Sequence, residues 1–521
     1  MDNGADLSGQ WRVLNGSVTG PSADADRPIG VAAMSSACIN DDGTTRGEDM
    51  SDWKSMWGGR ISSPEQAAGA IKNGDTVVFA MSSVFMTPTA FTKALIARAP
   101  ELRNVQIDTT FNSAPALGMI GPHTLESWTT NTFFAMNPPE IGALSTHDPQ
   151  VDFTPLNPHF IGTMQGAPFR EEFTRRYTQA DVAICVVTPP NQHGYVSFAH
   201  HLWHQRTSTR NAKIKVAEIH EGLPVIPGGD NWMHIDEFDF LIQGERLTIP
   251  SPIVAPKEQT VEPTELCGYN VADLINDGDT VMFGAGHMPG VMGNYLAHKQ
   301  DLGCHTEVVV PLPLVRGGVI NGSRRNFNRG KINLTGVAAI GEEDEAFLDG
   351  NPMFDLRDMG VNNDPKFIAQ NDNFVAINSC LEITMWGEMG VERIGNRYFR
   401  GIGGQVEFIL GALMSHHGRS IHAVLSRRLG SDGNWYSTIV PEFTKPGAAS
   451  VPRHLADFVV TEYGVASLMG KTERERAKEL ISVAHPDHRA DLKAEADKAL
   501  GIGRSIFLID GWPASSSTVD A

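Results

Sequence analysis

Cysteine is scarce in this sequence. There are five in 521 residues (Cys38, Cys185, Cys267, Cys304 and Cys380), odd in number, scattered, and with no CxxC pair. That excludes a disulfide-built scaffold and argues for a reduced, cytoplasmic setting. Long apolar runs are missing too, so a chain built on membrane-spanning helices is excluded. The opening MDNGADLSGQW has neither the basic stretch nor the apolar core of a secretory signal, and no leader is expected. Positive charge is in deficit, with 42 Lys and Arg against 61 Asp and Glu and a net charge of −19. A broad nucleic-acid-binding surface is therefore excluded, because phosphate backbones are held by clustered cations. Any anionic ligand has to be met by a local basic patch or by backbone amides. Several reactive motifs are absent as well. No HExxH or comparable ligand spacing marks a metal site, and no GxSxG elbow presents a serine nucleophile. A dinucleotide site is disfavoured, since no GxGxxG follows the first strand.

What is present is an ordinary globular composition, 41% hydrophobic and 20% charged. Length alone suggests three or four domains at roughly 150 residues each. Residues 1–54 are rich in Gly, Ser, Asp and Asn, show no periodicity, and read as a loose extension.

Three segments recur in the same order. AIKNGDTVVFA (70–80) resembles LINDGDTVMFG (274–284). DVAICVVTPPNQHGYV (181–196) resembles FVAINSCLEITMWGEM (374–389), with Val182-Ala183-Ile184 matching Val375-Ala376-Ile377 and glycines following at the same distance (Gly194, Gly387). HIDEFDFLI (234–242) echoes HLADFVV (454–460), matching Asp239-Phe240 to Asp457-Phe458. Strand-like runs such as TVVFA and VAICVV alternate with helical stretches such as TAFTKALIARA and TERERAKELISVA, the signature of mainly parallel sheets covered on both faces. The fold class expected is α/β, a tandem pair of related open domains. One spans 55–248 and the other 262–515, joined by a proline-rich connector around 244–264.

A duplicated fold with one working site should betray it where the halves diverge. After its GDT strand the second half reads GAGHMPG, Gly284 to Gly290, then VMGNYLAHK. A strand, a glycine turn and a proline in the first helical turn suit an anion, although a tight connection without ligand reads the same way. The first-half stretch, MSSVFMTP, lacks the glycines. Next, DLGCHTEVVVPL sets Glu307 at an apolar run, where ELRNVQIDTT of the first half, with Val105, Gln106 and Ile107, has no carboxylate in register. Partial desolvation there favours the neutral carboxyl and makes its anion more reactive, while a surface glutamate at a strand edge is the plainer alternative. Third, GIGGQVEF (401–408) has no first-half counterpart; its glycines permit close approach and leave N–H donors for an oxyanion, or simply form a hairpin turn. His200, His201 and His204 in HHLWH read as a packed or interface segment.

Taken together, GDTV–GAGHMP, LGCHTE, INSCLE, GIGGQVEF and VVTEYGVASLMGKTERERA resemble the acetyl-CoA hydrolase/transferase family, of the class I CoA-transferase group, over about residues 55–500. PPNQHGYVSF and HIDEFDFLI extend the likeness into the first half. The resemblance implies a CoA-transferase-like fold and a glutamate nucleophile falling on Glu307. It implies coenzyme A contacts at Gly284, Ala285, Gly286, His287 and Met288 and at Asn378, Gly401 and Gly404, with Glu462 in support. Acyl-CoA and a small carboxylic acid are the implied substrates, with no metal, no membrane and no nucleic-acid partner; a homodimer is the assembly considered. CoA would move between acids through a glutamyl-CoA thioester, or water would resolve that thioester in a hydrolase. Arg324, Arg325, Arg329 and Lys331 are expected to help hold the nucleotide, and His287 and Trp386 to tune the acyl pocket.

Overall fold

In the computed structural model the residues described are 53–79, 86–109, 118–134, 138–163, 176, 179–246, 262–337 and 341–500. The N-terminal extension up to residue 52, most of the connector, Cys38, most of MSSVFMTP and the chain beyond 500 lie outside them.

Two large sheets repeat one winding. The first contains β1 Thr76–Phe79, β2 Val105–Thr109, β3 Trp128–Thr132, β4 Val151–Phe153, β5 Val182–Val187, β6 Ile214–Ile219 and β7 Phe240–Gln243. Their order is β4-β3-β2-β1-β5-β6-β7, with every neighbouring pair parallel. The second contains β8 Thr280–Phe283, β9 Gly303–His305, β10 Ile332–Leu334, β11 Phe354–Leu356, β12 Phe374–Asn378, β13 Arg419–Ala423, β14 Phe458–Thr461 and β15 Gly464–Ser467. It runs β11-β10-β9-β8-β12-β13-β14-β15 and is parallel except for the last pair. The fold is thus a tandem pair of open α/β domains, the class the sequence predicts. Strands β5 and β12 are buried along their whole length, as expected for strands covered on both faces.

The strand register matches the repeats residue for residue. Val77 pairs with Val182 in the first sheet, and Val281 pairs with Val375 in the second. Going outward, Ile184 faces Val216 and Val216 faces Phe240, while Ile377 faces Ile421 and Ile421 faces Phe458. Local chemistry is duplicated as well. Gly74 and Gly278 turn into the first strands with φ of 82° and 84°, a left-handed conformation that favours glycine. Asp75 and Asp279 then accept from the backbone N–H groups of Lys72 and Asn276, at 2.8 and 2.6 Å. Asp239 accepts from the Lys215 N–H at 2.8 Å, and Asp457 from the Ser420 N–H at 3.0 Å.

The halves meet along HHLWH. The Trp203 N–H donates to the Thr335 carbonyl and the Val337 N–H to the His200 carbonyl. Trp203 is fully buried, and burial holds His201 and His204 neutral, with pKa values of about 3. This is the packed interface segment expected from its sequence. Among the described residues, no three His, Cys, Asp or Glu side chains are grouped to hold a metal ion. No helix among them is long and apolar enough to cross a membrane.

Candidate active site

Glu307 lies two residues past the end of β9, at the seam between the halves. The register of β2 on β1 (Thr76 opposite Gln106) and of β9 on β8 (Thr280 opposite Gly303) makes Thr110 its counterpart by count. The divergence therefore lies beyond the first-half strand and not at Val105–Ile107, because β2 runs for five residues where β9 runs for three. Backbone bonds fix the glutamate from behind, with the N–H groups of Thr335 and Gly336 donating to its carbonyl.

The Glu307 side chain is 4% exposed. Burial pushes its carboxyl up to about 7, opposed by the Asn363 carboxamide and the Gly404 backbone N–H, both of which favour the anion. Asn363 Nδ2 donates to Glu307 Oε1 at 2.9 Å. That carboxamide is itself oriented, because Asn362 Nδ2 donates to Asn363 Oδ1 at 3.2 Å and to the Thr306 carbonyl at 2.8 Å. Both asparagines belong to a short helical segment, Met359–Asn362, and its C-cap, whose N-cap is Asp358. Glycine at 404 has a steric reason, since a Cβ there would lie 2.8 Å from Glu307 Oε1. At 401 a Cβ would overlap the Phe133 carbonyl oxygen, so this loop lies directly against the first-half chain.

Around Glu307 opens a narrow cleft, lined by Phe134, Met282, Gly284, Ala285, Asn378, Ser379, Arg400 and residues 401–405. Its walls are the end of β8 with the turn into the helix His287–Met292, the end of β12, and the loop before the helix Gln405–Met414. Phe134 is the first-half contribution. It packs on Trp203, with ring centroids 5.7 Å apart, in an apolar cluster with Phe133, Val308 and Met359 that accounts for the desolvation of Glu307. Glu407, in the first turn of the helix Gln405–Met414, is also buried. Burial pushes its carboxyl up to about 8 and the neighbouring Glu307 charge adds to the rise, so at neutral pH it is largely protonated.

Comparison with known proteins places the chain. Residues 46–254 match the acetyl-CoA hydrolase/transferase N-terminal domain, and residues 345–496 the C-terminal domain of the same family. The 4-hydroxybutyrate coenzyme A transferase of Clostridium kluyveri is 30% identical over 454 residues, covering 86% of this chain and 99% of that protein. The chain belongs to the acetyl-CoA hydrolase/transferase family. A succinyl-CoA:cyclohexane-1-carboxylate CoA transferase of Geobacter metallireducens is also 30% identical, over 84% of this chain and 95% of the relative. Among solved structures, RipA from Yersinia pestis superimposes with a TM-score of 0.75 at 27% identity, covering 86% of this chain and 99% of RipA.

Within this family member, Gly284, Ala285, Asn378, Gly401 and Gly404 line one cleft with Glu307. Gly286 caps the helix that His287 opens, and the His287 side chain lies outside the described residues. Met288 is buried in the main hydrophobic core and does not line the cleft. Glu462 accepts from the Ser426 N–H and hydroxyl, at 2.9 and 2.6 Å, away from the cleft lining.

Two expectations need correction. Trp386 lies against a different hollow, beside Thr384, Pro441 and Phe443, and does not line the Glu307 cleft. Arg325 is buried within the second sheet's framework. It donates to the carbonyls of Cys304 and Lys331 and to the side-chain oxygens of Asn333 and Asn371, which leaves it no capacity for a phosphate. Arg324 is exposed and paired with Asp301 at 3.0 Å. A run of basic residues in a sequence does not separate cations facing solvent from those satisfying carbonyl groups. Four residues of the site, Asn363, Phe134, Arg400 and Glu407, are not found by reading the sequence. Glu407 and Arg400 sit in or beside the GIGGQVEF motif, which could have pointed to them, whereas Asn363 and Phe134 have no local motif.

Proposed function

We propose that this protein moves coenzyme A from an acyl-CoA to a free carboxylic acid, with Glu307 as the nucleophile. The observation that carries the reading is a buried carboxylate held by Asn363 and Gly404, facing the glycine turn that ends β8. In the first step, Glu307 attacks the thioester carbonyl and the CoA thiolate leaves, forming an acyl-glutamyl anhydride. The thiolate then attacks the glutamyl carbonyl, releasing the first acid and leaving a glutamyl-CoA thioester. An incoming carboxylate attacks that thioester and expels the thiolate, which takes the new acyl group from the second anhydride and frees Glu307. No step consumes a proton or an electron.

Each attack on the glutamyl carbonyl puts negative charge on a Glu307 oxygen. Asn363 Nδ2 already donates to that carboxylate, and the Gly404 N–H beside it favours its charge; these are the donors for the oxyanion. Ala285, on the facing turn, offers its carbonyl to Arg400. Phe134 and its cluster keep the site apolar, so these few donors act in a low dielectric.

The test is mass spectrometry after mixing the protein with acyl-CoA and then borohydride, which should trap a modification on Glu307. Full transfer activity in Glu307→Ala would end the proposal. Acetate added with an acyl-CoA donor should yield acetyl-CoA; free CoA alone would make the protein a hydrolase using the same glutamate.

A further inference from the structure

Arg325 is buried and Arg400 half-buried, and the two are treated differently by their surroundings. Arg325 has carbonyl and carboxamide oxygens on each of its nitrogens. Arg400, which lines the Glu307 cleft, has one side-chain bond, from Nη1 to the Ala285 carbonyl at 2.6 Å. Its Nε is buried without a hydrogen-bond partner among the described residues. The titratable group acting on it is the Cys380 thiol, which burial holds neutral with a pKa of about 12. Asn378, at the end of β12 on the same cleft, likewise buries an unpartnered Nδ2. A guanidinium drawn partly out of water without a counter-charge is costly, and a carboxylate answers it with two parallel bonds.

Glu307 must meet the carboxyl carbon that becomes the thioester. A monocarboxylic acid placed there has no second anionic group to offer Arg400. We infer that Arg400 is a specificity-determining residue selecting acids, and the acyl groups made from them, that carry a second carboxylate. This rests on the transferase reading above and names its substrate class.

The test pairs acids of matched length, succinate against butyrate and glutarate against valerate, as acceptors from one acyl-CoA donor. The wild type should favour the diacid in kcat/KM by about tenfold or more. Arg400→Met, which keeps the apolar stem, should reduce that ratio by about tenfold, and Arg400→Lys should restore part of it. A wild type that transfers to monoacids with no gain from a second carboxylate overturns the inference and leaves the transferase reading intact. So does an Arg400→Met variant that keeps its diacid ratio while its KM for the acyl-CoA donor rises, which would assign the guanidinium to the CoA moiety. Failure of the wild type to transfer to any acid overturns the reading beneath it.

Discussion

At Glu307, apolar burial raises the carboxyl while Asn363 and Gly404 hold it down, and the balance lies at about 7 against an ordinary 4.5. The acidic limb of kcat/KM should therefore fall near neutrality in the free enzyme. Asn363→Ala removes a donor that favours the anion, so the limb should move to higher pH. The rate at neutral pH should fall by about 100-fold and recover in part on raising the pH. A pH–rate profile of the variant checks both effects. Stability carries the opposite sign from a salt-bridged acid. Between pH 4.5 and about 7 the folded protein keeps a proton that the unfolded chain releases, so Glu307 costs stability as pH rises through that window. Glu307→Gln has no such titration. It should match the wild type near pH 4.5 and exceed it by about 3 kcal/mol at pH 8, since each tenfold change in proton affinity is worth about 1.4 kcal/mol. Denaturant midpoints across that range would test this, while the same variant should lose transfer activity.

The duplicated strands provide matched experiments. Asp239 and Asp457 each accept from a backbone N–H of the neighbouring strand, at equivalent positions of the two sheets. Their surroundings differ, since Asp457 and its Ser420 donor are buried and Asp239 is exposed. Asp457→Ala strands a buried donor and should cost about 1–3 kcal/mol, whereas Asp239→Ala, whose donor reaches water, should cost less than about 1 kcal/mol. Chemical denaturation of the two single variants decides this. Equal costs would mean that the equivalence of position outweighs the difference in burial. The same comparison explains which elements are readable. Strands β1, β5 and β7 and their partners β8, β12 and β14 announce themselves by repeated residues, because turn glycines, strand-capping aspartates and buried β-branched runs answer to local rules. The counterpart of Glu307 is harder to place from the sequence and falls several residues later than Val105–Ile107, because only pairing with β1 reveals where β2 ends.

For the whole molecule, the seam between the halves is what completes the cleft. Trp203 bonds through its backbone to Thr335 and packs its ring on Phe134, which in turn lines the cleft. Trp203→Ala should cost about 3–5 kcal/mol as a large buried truncation. It should also lower transfer beyond what the unfolded fraction explains, by loosening Phe134. Activity measured well below the variant's Tm, alongside its thermal unfolding curve, separates the two effects.

The order of residues alone discloses the duplication, the α/β class, the family likeness and the group Glu307, Gly284, Ala285, Asn378, Gly401 and Gly404. The duplication and the fold class are carried by repeated neighbours along the chain, and the site group by the family's short motifs. Asn363 and Phe134 reach Glu307 and its cleft from 56 residues downstream and from the other half, and nothing in their flanking residues marks them. Packing likewise separates a satisfied Arg325 from an unsatisfied Arg400. Whether a buried charge has partners depends on which carbonyl groups surround it in space, and that information is absent from neighbours along the chain.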